Sequence, residues 1–205
     1  MLNKKKKLSV IINTHKSYIN LLDRCIESTK NFKIGYKLII IIDNCERKYF
    51  IQAKKILAKN NISDYKIYQF DKKGISYARN YGIRKSKTDW ITFLDGDDYF
   101  LKKKIDYKLQ DQDADLIIFN HKTSNNSDAE FFNSIKKVDT KSKKQKLIKQ
   151  YLSYPRSNSF LNHCWSKIYK TKFLIKNKIE FKRNLNVNED FLFNSNVITK
   201  SNKII

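Results

Sequence analysis

Three carboxylates stand close together near the middle of the chain. The sequence WITFLDGDD at positions 90–98 predicts a buried strand that ends at Asp95, with Asp97 and Asp98 just beyond it. Like charges at this spacing disfavour joint ionisation unless a cation shares them. A hard divalent cation takes oxygen ligands and often holds substrate phosphates as well. The cluster is therefore a candidate metal site, although an acidic turn that caps a helix accounts for the same residues.

Another carboxylate lies at the end of a second apolar run. Residues 38–42 read LIIII and are followed by Asp43 and Asn44. A carboxylate at a strand tip can accept a hydrogen bond from a base N–H or from a ribose hydroxyl. An Asx turn or a helix cap is the alternative interpretation of Asp43.

The segment GISYARNYG at positions 74–82 lies between these two strands in the chain. It predicts a helix entered through Gly74, and the N–H groups at a helix N-terminus can hold an anion. Arg79 on this helix offers a planar fork for phosphate or carboxylate. The alternative for Arg79 is an internal ion pair with Asp43 or Asp95, which would itself place the arginine in the cleft.

The elements that must position these residues alternate in type along the first half of the chain. Apolar runs predict strands, and stripes at helical spacing predict helices between them. This alternation predicts right-handed βαβ units and a mostly parallel sheet flanked by helices, which is an α/β fold. Open α/β sheets bind ligands at the carboxyl ends of their strands. The predicted strands cover residues 8–12, 38–42, 65–70 and 90–94, and the helices cover residues 17–32, 48–59 and 75–85.

The second half of the chain is less clearly patterned. Pro155 is the one proline and marks a break, and no internal repeat or Pro/Gly/Ser-rich linker is present. One domain over residues 1–205 is therefore the economical prediction. We predict strands at residues 114–119 and 165–169, a loop at 120–128, and helices at 100–109, 141–152, 171–177 and 189–199.

Composition limits the classes of function. The chain has 43 Lys and Arg against 20 Asp and Glu, a net charge of +23. Basic surfaces attract nucleic acid and anionic lipid headgroups, but these lysines are dispersed and no nucleic-acid motif accompanies them. We expect no specific nucleic-acid partner, while peripheral contact with an acidic membrane stays open. No apolar run approaches the roughly 18 residues of a membrane span.

The three cysteines are odd in number and far apart, without metal-binding spacing. This usage is typical of a reduced compartment, so the expected location is the cytoplasm, including the inner face of the cell membrane.

Four segments in order resemble the nucleotide-sugar half of a family 2 glycosyltransferase with the GT-A fold. They are residues 8–14, the strand ending at Asp43, residues 74–82 and residues 93–98. WSKIY, IEF and NED at positions 165–169, 179–181 and 188–190 are also similar, so the resemblance covers nearly the whole chain. It implies a nucleotide-sugar half at residues 1–110 and an acceptor-side half at residues 111–205.

The resemblance implies an activity and a donor site. The enzyme would move a hexosyl or N-acetylhexosaminyl group, with inversion, from a nucleotide-diphospho-sugar (a UDP-sugar foremost) to an acceptor hydroxyl on a glycan or lipid, in bacterial surface polysaccharide or glycolipid biosynthesis. Asp97 would ligate Mn²⁺ or Mg²⁺, with Asp98 in support. The nucleotide sugar would be bound by Thr14, Asp43, Asn44, Gly74, Arg79 and Asp95.

The acceptor side is implied by the later segments. Asp190, beside Glu189, would be the general base that takes the acceptor's proton. The alternative is an acidic pair in the first turn of a helix, favoured by the helix dipole. His163, Trp165 and Lys167 would line the acceptor side.

Two departures from the family pattern bear on these expectations. Asn13 stands where the family usually has proline, and Asn44 where it has a second aspartate, which leaves the nucleoside preference open. The chain ends 15 residues after Asp190, where family members usually continue. A compact enzyme, a truncated donor-binding chain without turnover, and a basic non-enzymatic binding module therefore stay open as alternatives.

Overall fold

The computed structural model describes residues 7–43, 46–101, 109, 113–119, 138–153, 162–185 and 187–205. The chain divides into two compact units, Met1–Asp111 and Gln112–Ile205. The sequence predictions for Asn44, the loop at 120–128 and Pro155 lie outside the described residues, as does most of the helix predicted at 100–109.

The first unit is built on four parallel strands. They are β1 (Leu8–His15), β2 (Tyr36–Asp43), β3 (Tyr65–Phe70) and β4 (Trp90–Asp95), in the spatial order β3-β2-β1-β4. Residues 38–42 of β2 are fully buried, as expected for a parallel strand covered on both faces. Each of the four predicted strands is present, and three of them extend further toward a polar tip than the apolar runs indicated.

The described α-helices beside these strands are α1 (Leu22–Ser28), α2 (Arg47–Lys59) and α3 (Ile75–Lys85). The prediction of one continuous helix over residues 17–32 is wrong, because α1 lies between two 3-10 turns, Lys16–Tyr18 and Thr29–Asn31. Nδ1 of His15 accepts a hydrogen bond from the backbone N–H of Ser17, 3.3 Å away, which favours the tighter first turn.

A glycine allows α3 to pack closely on β1. A Cβ atom at Gly82 would lie 2.5 Å from Cγ2 of Ile11. Gly82 is therefore a packing residue in the interior of α3. The close contact holds α3 against the strand that carries Asn13 and Thr14.

The second unit contains β5 (Leu116–Ile118) and β6 (Lys167–Lys170), which pair antiparallel. Its described helices are α4 (Lys141–Ser153), α5 (Thr171–Lys176) and α6 (Glu189–Lys200). The rings of Phe181 and Phe193 stack 3.9 Å apart in its buried interior. The predicted α/β class, with mostly parallel strands and flanking helices, is confirmed. Within the described part of the chain, every helix is too short or too polar to cross a lipid bilayer.

Candidate active site

The carboxyl ends of three neighbouring strands bring the predicted donor-site residues to one edge of the first unit. In the strand register, His15 of β1 is opposite Asp43 of β2, and Asn13 of β1 is opposite Asp95 of β4. Thr14 lies between these two positions. Residues that are far apart in the sequence therefore share this edge because parallel strands end there together.

Arg79 of α3 forms an ion pair with Asp95 at the tip of β4. Nη2 of Arg79 lies 3.1 Å from Oδ1 of Asp95 and 3.4 Å from Oδ2. The Arg79 side chain is 4% exposed, and that of Asp95 is 27% exposed. The internal ion pair considered from the sequence is therefore present, and it places the guanidinium at the same edge as the other predicted donor-site residues.

Asp43 connects the end of β2 to the start of α3. Its Oδ1 accepts from the backbone N–H of Lys73 at 2.9 Å, and its Oδ2 accepts from that of Gly74 at 2.7 Å. Gly74 is the N-cap of α3, with a φ of +83° that residues with a Cβ rarely adopt. Each carboxylate oxygen has more than one lone pair, so these bonds leave Asp43 able to accept from a ligand as well.

The acidic loop, residues 95–98, folds tightly over the end of β1. Gly96 donates its N–H to the carbonyl oxygen of Asn13 at 2.8 Å, and Asp98 donates to that of Asp95 at 3.0 Å. A Cβ at Gly96 would lie 2.5 Å from Oγ1 of Thr14. Gly96 is thus required for the loop to approach β1.

Buried polar atoms near this loop lack internal partners. The side-chain amide atoms of Asn13 and Oγ1 of Thr14 have no hydrogen-bond partner among the described residues. Buried polar groups in native proteins are almost always satisfied by protein, water or ligand. These atoms are consistent with a site that water or a ligand completes.

Two residues of α1 support the acidic loop and were missed by the sequence analysis. Nη2 of Arg24 donates to the carbonyl oxygen of Asp97 at 3.0 Å, and its guanidinium lies 4.3 Å from the centre of the Tyr99 ring. Sγ of Cys25 donates to the carbonyl oxygen of Asp95 at 3.6 Å. Some 70 residues separate the partners, and neither arginine nor cysteine carries a local signal for such a contact.

The acidic loop is a region of concentrated negative charge. The pKa of Asp98 is raised to about 6, first by desolvation and then by the charges of Asp95 and Asp97, against the opposing charge of Arg24. Burial, followed by the same carboxylates, raises the pKa of the Cys25 thiol well above its ordinary value. Cys25 is therefore a neutral packing residue and not a nucleophile.

The carboxylates of the acidic loop fit a divalent cation whose coordination is completed by the substrate. Among the described residues, no group of three or more His, Cys, Asp or Glu side chains is arranged to enclose a metal. Asp95 is already paired with Arg79, which leaves Asp97 and Asp98 as carboxylate donors. Mg²⁺ sites of this kind use one or two carboxylates together with water and substrate phosphates.

In the second unit, Asp190 lies in the first turn of α6 and is 8% exposed. Its Oδ2 accepts the backbone N–H of Cys164 at 3.0 Å. Glu189 precedes it in the same turn and is half-buried. Both acids lie in the first turn of α6, where the helix dipole favours negative charge, as the alternative interpretation expected. An interaction with the helix dipole does not require burial, however, and Asp190 is almost fully buried.

The three predicted acceptor-side residues cluster in a turn at residues 163–167. The rings of His163 and Trp165 stack 4.6 Å apart with an interplanar angle of 10°. Lys167 is fully buried, and its Nζ donates to the carbonyl oxygens of His163 at 2.5 Å and of Trp165 at 3.3 Å. The amine is therefore directed at the protein backbone, while the two rings remain half-buried.

Comparison with known proteins identifies the family. Residues 9–176 match the family model described as glycosyl transferase family 2. The chain belongs to this family.

Individual relatives agree with this assignment. A glycosyltransferase of Rickettsia bellii is 30% identical over 167 residues, which cover 80% of this chain and 21% of the relative. The cholesterol galactosyltransferase of Borreliella burgdorferi is 24% identical over 219 residues, covering 98% of this chain and 57% of the relative.

Among solved structures, S. aureus TarS (residues 1–349) in complex with UDP-GlcNAc has a TM-score of 0.72 at 18% identity. That match covers 97% of this chain and 55% of the TarS chain. The GT-A fold expected from the sequence is confirmed. The chain spans less than two thirds of the length of each of these three proteins.

Proposed function

We propose that the chain transfers a sugar from a UDP-linked donor to an acceptor hydroxyl, with inversion, in the assembly of a bacterial surface polysaccharide or glycolipid. The observation that carries the proposal is the acidic loop at the carboxyl edge of the sheet, with the Arg79–Asp95 ion pair beside it. The UDP-GlcNAc complex of TarS supports a uridine donor. The name of the Borreliella relative supports a lipid as one class of acceptor.

On the donor side, Thr14 and Asp43 line the nucleoside pocket. Arg79 lies near the base and the diphosphate, at the N-terminal half of α3, which begins after Gly74. Asp95 contacts the ribose. The partly buried Arg79–Asp95 pair keeps both side chains in fixed positions before the nucleotide arrives, which reduces the entropy lost on binding.

Asp97, supported by Asp98, would hold Mn²⁺ or Mg²⁺. When bound, such an ion supplies positive charge that stabilises the negative charge developing on the departing diphosphate. The contribution of the protein is the acidic loop itself, held over β1 by Gly96 and bound from α1 by Arg24.

On the acceptor side, Asp190 takes the proton from the attacking hydroxyl, as a placed carboxylate can. The hydrogen bond from Cys164 orients its carboxylate. Attack by the deprotonated oxygen forms the new glycosidic bond as the bond to the diphosphate breaks on the opposite face, which inverts the anomeric centre. Glu189 lies beside the base, and the stacked rings of His163 and Trp165 offer an aromatic surface to the acceptor.

A location in the cytoplasm, at the inner face of the cell membrane, is part of the proposal. The net charge of +23 supports it, because each basic residue near an anionic lipid surface adds about 1 kcal/mol of attraction.

The proposal is tested with the full chain and a panel of UDP-, GDP- and CMP-sugars in the presence of Mn²⁺. We expect a UDP-sugar to raise the Tm, and we expect release of UDP by transfer or slow hydrolysis. Binding with no turnover would leave the chain a donor-binding protein, and the absence of any nucleotide-dependent change in Tm would contradict the proposal.

The role of Asp190 has a separate test. Asp190→Asn should lower turnover by about 100-fold or more while UDP still raises the Tm. Asp139→Asn is the matched control, because it makes the same chemical change at a carboxylate of the second unit that pairs with Lys143 at 3.1 Å. Equal turnover in wild type and Asp190→Asn would exclude Asp190 as the base.

A further inference from the structure

We propose that Lys167 is a positioning residue for the reaction, because its buried amine fixes the backbone turn whose amide holds the Asp190 carboxylate. The inference rests on the proposed function, in which Asp190 is the general base. It assigns Lys167 an indirect role, in place of the direct acceptor contact that the family resemblance implied.

The contacts of Lys167 lie on both sides of the Cys164 amide, which binds Asp190. Its Nζ donates to the carbonyl oxygen of His163 at 2.5 Å and to that of Trp165 at 3.3 Å. Cys164 lies between these two residues, and its N–H donates to Oδ2 of Asp190 at 3.0 Å. Displacing the His163 carbonyl would move this N–H directly, because both belong to the same peptide group.

The same turn is bound from two other elements. Nδ2 of Asn194, one helical turn after Asp190 on α6, donates to the His163 carbonyl at 3.0 Å. The hydroxyl of Tyr169 on β6 lies 3.0 Å from the Cys164 carbonyl oxygen and 2.9 Å from Oδ1 of Asn194, and it shares its one proton between these two acceptors. Side-chain donors therefore reach three successive carbonyl oxygens, counting the one at Trp165, and hold the turn against the helix that carries the base.

A lysine is an unfavourable choice for packing alone. Lysine is almost never fully buried unless its amine is paired, since transfer of the charged group out of water is costly. Burial lowers the pKa of Lys167 to about 7, against the opposing influence of Cys164 and Asp190. As an ammonium or as a neutral amine, Nζ still has at least two N–H bonds, enough for both carbonyls.

The turn also contains a backbone conformation that needs support. Ser166 has a φ of +54°, in the left-handed region that residues with a Cβ seldom occupy. Such conformations persist where the surroundings hold them and are concentrated near functional sites. Fixing the carbonyls before and after Cys164 is a direct way to maintain this turn.

The test compares Lys167→Met with wild type in the full chain labelled with ¹⁵N-cysteine. The chain has three cysteines, so the Cys164 amide is one of three expected signals and is assigned with Cys164→Ser. We expect hydrogen exchange at Cys164 to become about fivefold faster or more in Lys167→Met, as one of its supports is lost. The exchange of the Cys25 amide in the first unit should not change.

Turnover is measured in parallel with UDP-GlcNAc and Mn²⁺ as the probe. We expect kcat to fall by about 10- to 100-fold, because small displacements of a catalytic group have effects of this size. The Kd for UDP should stay within about twofold, since the donor-site residues are unaltered. The Tm should stay equal or rise, because a buried amine has been removed.

Lys144→Met is the matched control. Nζ of Lys144 also donates to a backbone carbonyl, that of Ser201 at 2.8 Å, but this contact lies outside the 163–167 turn. It should leave kcat and Cys164 exchange unchanged. If Lys167→Met does not fold, Asn194→Leu releases the His163 carbonyl from the other side and should show the same pair of changes.

The outcomes separate the two proposals. Unchanged exchange at Cys164 would overturn the inference whatever the activity. Loss of turnover in Asp190→Asn with full turnover in Lys167→Met would overturn the inference and leave the proposed base intact. Full turnover in Asp190→Asn would contradict the proposed base, and with it the positioning role.

Discussion

Nη2 of Arg79 lies 3.1 Å from Oδ1 of Asp95, so the first carboxylate of the acidic loop is paired inside the protein. The pair divides the loop into two parts with different electrostatics. Asp95 has a cation beside it in the absence of any ligand, whereas Asp97 and Asp98 extend beyond the strand. A bound metal would therefore depend on the last two carboxylates more than on the first.

Loss of Arg79 should destabilise the fold. Arg79→Met leaves the Asp95 carboxylate without its guanidinium partner, and we expect a loss of about 1–3 kcal/mol in the free energy of unfolding, measured by urea denaturation. Asp95→Asn in the same background should recover part of that loss. If the two effects simply add in the double-mutant cycle, the ion pair contributes nothing to stability.

Gly96→Ala should affect both stability and nucleotide binding. Its new Cβ would lie 2.5 Å from Oγ1 of Thr14, so β1 or the acidic loop must shift. We expect a loss of about 1–3 kcal/mol in stability together with weaker binding of UDP in Mn²⁺, measured by titration calorimetry.

Gly82→Ala is the control for Gly96→Ala. It introduces an equally close contact, 2.5 Å to Cγ2 of Ile11, but at a distance from the acidic loop. It should lower the free energy of unfolding and leave UDP affinity nearly unchanged. Equal losses of UDP affinity in the two variants would argue against a specific role for the Gly96 turn.

Asp97→Asn should remove the metal-dependent part of nucleotide binding. We expect the Kd for UDP in Mn²⁺ to rise by more than about tenfold, with little change when EDTA is present. Glu27→Gln on the exposed surface of α1 makes the same change in charge and should behave as wild type. A full Mn²⁺ effect in Asp97→Asn would show that the metal is held elsewhere.

The stability of the protein should depend on pH through Lys167. Its pKa is about 7 in the folded chain, as burial disfavours the charged form, and its ordinary value is 10.5. Between these values the unfolded chain binds the proton more tightly, so the free energy of unfolding rises with pH across this window. Below about pH 7 the amine is protonated in both states and this dependence ends.

The contribution of Lys167 to this pH dependence is isolated by urea denaturation of wild type and Lys167→Met. The measurements run from about pH 6 to pH 10, which is roughly the range between the two pKa values. The difference in unfolding free energy, wild type minus variant, should increase with pH. A difference that is constant or decreases would show that Lys167 keeps its ordinary pKa.

Local sequence patterns were sufficient to predict the strands and helices of the first unit, and the edge of the sheet at which the site residues lie. The apolar runs at 8–12, 38–42, 65–70 and 90–94 predict strands because burial on both faces requires continuous apolar residues. Alternation with helices predicts parallel pairing, and parallel pairing brings Asp43 and Asp95 to one edge. The acidic loop and the glycine that opens α3 were also identifiable, because strand tips and Gly-led helix starts have recognisable local chemistry.

Contacts between distant residues depended on the tertiary structure. The support of the acidic loop by Arg24 and Cys25, and the choice of Asp95 over Asp43 as the partner of Arg79, follow from how α1 and α3 pack against the strands. The sequence alone determined the α/β class, the family resemblance and the candidate residues, since these follow from local pattern and order along the chain. Only the tertiary structure decided which carboxylate is paired and that Lys167 is directed at the backbone, because burial and partner geometry arise from packing between segments far apart in sequence.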